Sequence, residues 1–308
     1  MTDAIKDCLP PDRNPRQPNV TLPKGSIDTH VHVFERARYK MNPDRGYNPP
    51  DSTLADLKHL HKTLGIDRVV FTQPSTYGTD NSAILDGMAA LNAETPNRAR
   101  CVVAITMDIT DDELAALDRR GARGVRLNTD NKGGMPIGFD QIGQLETRIR
   151  PFGWHLEWLF PGKDILQLMP VFAKIKVPMS IGHFAYQPAT AGVNAPGFQA
   201  LLELMKRGNT WIKISGANRV SETDLPPYDD VKPMAHALIK AAPDCIMWGT
   251  DWPHPNKYIA NPNDVDLVDA FGDWVTDPAM RRKVMVEDRK STRLNSSHSR
   301  ASRMPSSA

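Results

Sequence analysis

The stretch Ser26-Ile27-Asp28-Thr29-His30-Val31-His32-Val33-Phe34 decides how this chain is read. It is a short β-branched run, and helical spacing follows it: Leu54, Leu57, Leu60 and Leu64 recur on one stripe between Ser52, a candidate N-cap, and Gly65, a candidate C-cap. A second apolar run then begins at Asp67. The same alternation of short run and helical pattern continues, with strand candidates at 26–34, 67–73, 98–106, 122–128, 154–160, 177–184, 210–216 and 245–251. Thr110 and Glu113 form a capping-box pattern at the head of another helix. Strands alternating with helices predict a parallel sheet covered by helices, and eight such units close most economically into a single α/β (β/α)8 (TIM) barrel. A doubly wound open sheet is the alternative. It lacks support because no glycine-rich phosphate-binding turn follows the first strand.

Working outward, residues 25–287 read as the barrel, 1–24 as an N-terminal extension, and 288–308 as a disordered tail. The tail is serine-rich without apolar periodicity, resembles translated adapter sequence, and is expected to be non-native. It also carries the basic balance. The formal charge is +2, but Arg289, Lys290, Arg293, Arg300 and Arg303 lie in the tail, and without them 33 basic residues face 36 acidic ones. A weakly acidic body argues against a nucleic-acid partner. No apolar run approaches the roughly 20 residues that span a bilayer, and no secretory leader is evident at the N-terminus. A cytoplasmic protein without a membrane partner is expected. Cys8, Cys101 and Cys245 are too scattered to suggest a disulfide framework or zinc knuckle.

Barrel chemistry gathers at the C-terminal ends of the strands. Strand alternation predicts that Asp28, His30 and His32 share one face, and a doubly buried strand has little reason to bury three ionisable groups unless they work together. The sixth strand ends at His183, and the eighth runs Trp248-Gly249-Thr250-Asp251-Trp252-Pro253-His254. His30, His32, His183 and Asp251 thus converge on one mouth. Glu157, facing the same way as His155 and Leu159, is a further carboxylate: a metal ligand, a second acid, or a partner for Arg126. His59, His61 and His236 lie in helical segments and read as solvent-facing or packing residues. Met247 and Trp248 follow core spacing, whereas Trp252 is a candidate wall of the site.

The Asp28-Thr29-His30-Val31-His32 run, the late His183 and Trp248-Gly249-Thr250-Asp251 together resemble the amidohydrolase superfamily over residues 25–287. Within it, Thr79-Asp80-Asn81, Gly124-Val125-Arg126-Leu127-Asn128 and Asp251-Trp252-Pro253-His254-Pro255-Asn256 resemble the 2-pyrone-4,6-dicarboxylate lactonase branch. The resemblance implies a hydrolase that opens a small carboxylated lactone, in catabolism of aromatic or sugar acids. Asp251 would be the general base for water, while His30, His32 and His183 polarise the carbonyl. Arg126, Arg219, Ser75, Tyr77, Thr79, Tyr186 and His254 are the expected substrate-binding residues. The chain departs from that branch at Phe184-Ala185-Tyr186, where an arginine is expected shortly after His183, and at Leu159, where a tyrosine is expected. Both changes argue for fewer or differently placed charges on the substrate.

No metal is expected to be obligatory. The superfamily's use of divalent ions leaves a single Zn or Mn ion as the alternative, held by His30, His32, His183 and Asp251. The expected partner is a small anionic lactone or carboxylic acid, with homo-oligomerisation left open. Three other functions stand beside the hydrolase: a metal-dependent nonoxidative decarboxylase, a lactone isomerase, and a noncatalytic carboxylate-binding barrel.

Overall fold

The computed structural model describes residues 5–287, so the expectation for the tail falls outside the described residues. The first half of the chain runs β1 (Ile27–Val31), α1 (Leu54–Leu64), β2 (Arg68–Thr72), α2 (Ser82–Glu94), β3 (Ala99–Val103), α3 (Asp111–Arg120), β4 (Ala122–Asn128) and α4 (Ile142–Ile149). The second half runs β5 (His155–Leu159), α5 (Ile165–Phe172), β6 (Met179–Ile181), α6 (Pro196–Met205), β7 (Thr210–Lys213), α7 (Ala217–Val220), α8 (Lys232–Ala241), β8 (Ile246–Met247), α9 (Asp264–Trp274) and α10 (Pro278–Arg282). The strands pair in parallel in the order β1 to β8. The ring closes where the chain after β8 meets β1: Asp251 N donates to His30 O at 2.9 Å and His32 N to Trp252 O at 2.8 Å. This is the (β/α)8 barrel and not the open sheet.

All eight expected strands are present; the fourth spans 122–128 as expected, and the other seven are shorter than their apolar runs. The eighth is two residues long, and its continuation leaves the sheet to place Asp251 at the mouth. One expected cap is corrected. Ser52 spends its backbone on a two-bond bridge with Phe34 (2.8 and 2.9 Å), so α1 starts one residue later, and Thr53 and Asp56 form a reciprocal capping box. Gly65 closes the helix in the left-handed conformation, as its position predicts. Thr53→Ala, read by urea denaturation, is expected to cost about 1 kcal/mol. An unchanged midpoint would mean that the Asp56 side chain caps the helix unaided.

The largest core cluster lies between strands and helices, with Val31, Val69, Phe71, Leu57 and Leu64 among its members, while Ile27, Val70 and Val102 form a small separate cluster. β1 carries one extra residue between Asp28 and Val31 relative to β2. That bulge breaks the simple alternation: Asp28 turns to α1 and the β8 end, while His30 and His32 face the barrel. The N-terminal extension is strapped across the α9 side: Arg16 pairs with Asp266 and Asp269, and the Asn19 N–H donates to Asp269. No helix among the described residues is long and apolar enough to cross a membrane. Cys8, Cys101 and Cys245 are all buried.

Candidate active site

Each histidine and aspartate at the mouth is held by local structure that the sequence dictates. In Trp248-Gly249-Thr250-Asp251, Trp248 packs on Phe271 in the core. A Cβ on Gly249 would sit 2.8 Å from His30 N, so only glycine lets the strand approach β1 this closely. Thr250 donates to Asp28 from its backbone N–H (3.0 Å) and its hydroxyl (2.6 Å), and Asp251 follows with φ 66°. Asp28 also accepts from His30 N at 3.1 Å and lies 3.3 Å from His61 Nε2. One expectation changes here and another is narrowed. Asp28 does not share the His30 face, and of the two readings of His61 the packing one holds, with the polar addition that it is the buried partner of Asp28.

At the centre, His183 Nε2 lies 3.4 Å and His30 Nε2 3.8 Å from Asp251 Oδ1, while Arg219 Nε donates to Oδ2. Arg219 also donates to Pro255 O at 2.9 Å. His32 Nδ1 is 2.7 Å from Thr72 O, and His183 Nδ1 is 3.0 Å from Ser215 Oγ. His183 itself has φ 51°, and a Cβ at Gly216 would fall 2.9 Å from its Nδ1. Two central residues in the left-handed region are strain that the surrounding contacts must sustain.

Burial lowers the His32 pKa to about 4 and the His183 pKa to about 3, and burial followed by the charge of Lys213 holds His30 well below the usual range. The imidazoles are therefore neutral donors and acceptors near pH 7. Burial pushes the Asp251 carboxyl up, but Arg219, then His183 and His254, outweigh it and hold the group below the usual carboxylate range.

The cleft around these groups is lined by Ser75, Arg126, Leu159, Tyr186 and Arg219, together with Tyr47, Asn128, Asn131 and Asn256. The last four were not anticipated as site residues: Tyr47, Asn131 and Asn256 sit in loops, where no periodicity points to them, whereas Asn128 ends β4 two residues after Arg126 and shares its face by alternation. Three expected substrate contacts are corrected. The Tyr77 hydroxyl accepts from Glu35 N at 3.3 Å beneath the loop, in contact with Phe34 and Tyr39. Thr79 lines a separate crevice with Asn81 and Thr106. His254 is buried against Asp264 (3.1 Å), away from the cleft. Trp252 is likewise not a wall of this site but lines a separate pocket with Pro11, Asp56 and His59.

Below the cleft, Glu157 takes the third of its anticipated roles. Its Oε1 accepts from Arg126 at 2.5 Å, its Oε2 from Lys213 at 2.6 Å, and Thr72 donates to Oε1 at 3.2 Å. Sequence reasoning missed Lys213, although a signal was present: a lone lysine in Thr210-Trp211-Ile212-Lys213-Ile214, a charge inside a buried strand.

The family model described as Amidohydrolase matches residues 27–287. The chain belongs to the amidohydrolase family. A 4-sulfomuconolactone hydrolase of Rhizobium radiobacter is 35% identical over 303 residues, spanning 94% of this chain and 97% of that protein. A 2-pyrone-4,6-dicarboxylate hydrolase of Comamonas testosteroni is 32% identical over 284 residues, spanning 89% and 92%. Among solved structures, an apo protein from Agrobacterium tumefaciens superposes with a TM-score of 0.77 at 29% identity, covering 89% of this chain and 97% of that one.

Amidohydrolases often use a divalent metal, and one nitrogen or oxygen from each of His30, His32 and Asp251 lies within 4.8 Å of the others. The positions suit one ion, but the charges do not. Arg219 already neutralises Asp251, and Lys213 Nζ stands 3.0 Å from His30 Nδ1. A dication here would meet two buried cations, so the residues present do not fit a resident metal.

Proposed function

We propose that this amidohydrolase hydrolyses a small lactone bearing carboxylate, with Asp251 as the base. The observation that carries this reading is the ionised Asp251 carboxylate beside His183 and His30, at the floor of a cleft whose charged lining is two cations, Arg126 and Arg219, against one anion. The likeness to lactone hydrolases supports the same chemistry.

Asp251 takes a proton from water as the water oxygen attacks the lactone carbonyl carbon. The developing oxyanion is held by imidazole N–H donors, with His30 Nε2 free of any hydrogen-bond partner among the described residues. The ring C–O bond then breaks, and the proton held on Asp251 passes to the departing oxygen, giving the ring-opened hydroxy acid. A carboxylate on Arg219 would share the guanidinium with Asp251 and so raise the basicity of the carboxylate when substrate is present. Leu159 and Tyr186 leave one flank of the cleft without a cation, which favours a substrate with fewer charges than a fully carboxylated pyrone.

The test is turnover of a panel of carboxylated lactones, with and without a chelator, scored for ring opening, isomerised lactone and carbon dioxide. Chelator-resistant ring opening that incorporates one oxygen from labelled water is expected. Chelator-sensitive carbon dioxide release from acids, with lactones untouched, would replace this reading with decarboxylation. Lactone-to-lactone conversion without label would replace it with isomerisation.

A further inference from the structure

Lys213, at the end of β7, is wholly buried inside the barrel, and the chemistry above does not use it. Its Nζ has three contacts: Thr29 O at 2.9 Å, Glu157 Oε2 at 2.6 Å and His30 Nδ1 at 3.0 Å. An ammonium carries three hydrogens and no lone pair, so these contacts use its full donor capacity. Burial pulls the Lys213 pKa down, and the charge of Glu157 opposes that pull. Glu157 is itself firmly ionised, because Lys213 and Arg126 outweigh its burial and leave its pKa at about 2. Glu157 Oε1 also lies 3.5 Å from His30 Nδ1, but it already accepts from Arg126 and Thr72.

We infer that Lys213 is a positioning residue that makes His30 a one-way hydrogen-bond donor: by donating to Nδ1 it keeps the imidazole hydrogen on Nε2, the nitrogen facing Asp251 and the cleft. His32 is set the other way. Its Nδ1 faces the Thr72 carbonyl, which only accepts, so its hydrogen is on Nδ1 and its Nε2 presents a lone pair. Two rings with centroids 5.0 Å apart therefore offer opposite functions, a donor for the oxyanion and an acceptor for a hydrogen of the attacking water. An Nε2 that carries hydrogen also has no lone pair for a cation, which gives the poor fit of a metal a specific cause. This assignment of roles rests on the lactone-hydrolase reading; the tautomer does not.

The experiment is side-chain 15N NMR of histidine-labelled full-length protein, with His30 assigned by the resonances lost in His30→Gln. Wild type is expected to show protonated Nε2 and bare Nδ1 at His30, with the reverse at His32. A protonated Nδ1 at His30 would overturn the inference, and this arm requires no variant of Lys213 to fold. In Lys213→Met the His30 hydrogen is expected to move to Nδ1, toward Glu157. With the lactone that wild type turns over, kcat is expected to fall about 10²-fold, the cost of one oxyanion donor, with KM little changed. A Lys213→Met protein that is merely less stable and keeps the wild-type His30 tautomer would reduce Lys213 to a structural role and overturn the inference. The spectra need no lactone, so a wrong substrate assignment would leave them unchanged and is told apart from a wrong tautomer.

Discussion

Asp251→Asn is expected to lower kcat for lactone opening about 10³-fold, within the range that removal of a positioned general base produces, while KM changes far less. The substitution keeps the shape of the side chain and removes its charge and its ability to take a proton. Arg219 loses its ionic partner but keeps the Pro255 carbonyl, so the cleft remains cationic and substrate still binds. Single-turnover kinetics and a thermal melt of the same preparation would separate lost chemistry from lost structure. If a folded Asp251→Asn retained activity within about tenfold of wild type, the loss would fall below that range and the base would lie elsewhere. His32, with its bare Nε2, would be the next group to test.

The fold was readable from the sequence because its signal is redundant. Eight apolar runs separated by helical stripes survive errors of several residues at each end, and losing most of the eighth strand leaves the ring intact. The centre of the site was readable for a related reason: His30, His32, His183 and Asp251 are ionisable groups at the ends of buried strands, where only function or pairing justifies them. What alternation could not supply is the bulge in β1, which turns Asp28 toward His61 and Thr250. One extra residue breaks the period-2 relation between the two sides of the bulge, so Asp28 no longer shares a face with His30 and His32. Loop residues were the weakest part. Ser75 and Tyr77 are two positions apart in one 3-10 turn, yet Ser75 faces the cleft and Tyr77 packs under it. Tyr47 reaches the cleft from a segment without any periodic pattern. Lys213 is legible by the same burial argument that singles out the histidines: a lone charge inside the apolar run 210–216.

Glu157→Gln is expected to destabilise the barrel by about 3–5 kcal/mol at neutral pH, because it removes the anion between two buried cations. Arg126 and Lys213 would keep their desolvation cost and lose the partner that offsets it. Dependence on pH distinguishes this from a packing defect. The folded pKa of Glu157, about 2, lies below its ordinary value of 4.5, so its contribution is complete above the unfolded value and is lost as pH falls through that window. Urea denaturation of wild type and variant should therefore show a stability gap that is constant from pH 7 to about 5.5 and closes steadily toward pH 2. A gap that stayed flat across that range would mean the carboxylate acts by shape and not by charge, leaving the Arg126–Glu157–Lys213 layer as ordinary packing. Because the same layer holds Lys213 against His30, removing the Glu157 charge should also release the His30 ring: in Glu157→Gln, the side-chain 15N signals of His30 are expected to broaden or double. Stability and active-site tautomer would then change together, through one buried carboxylate.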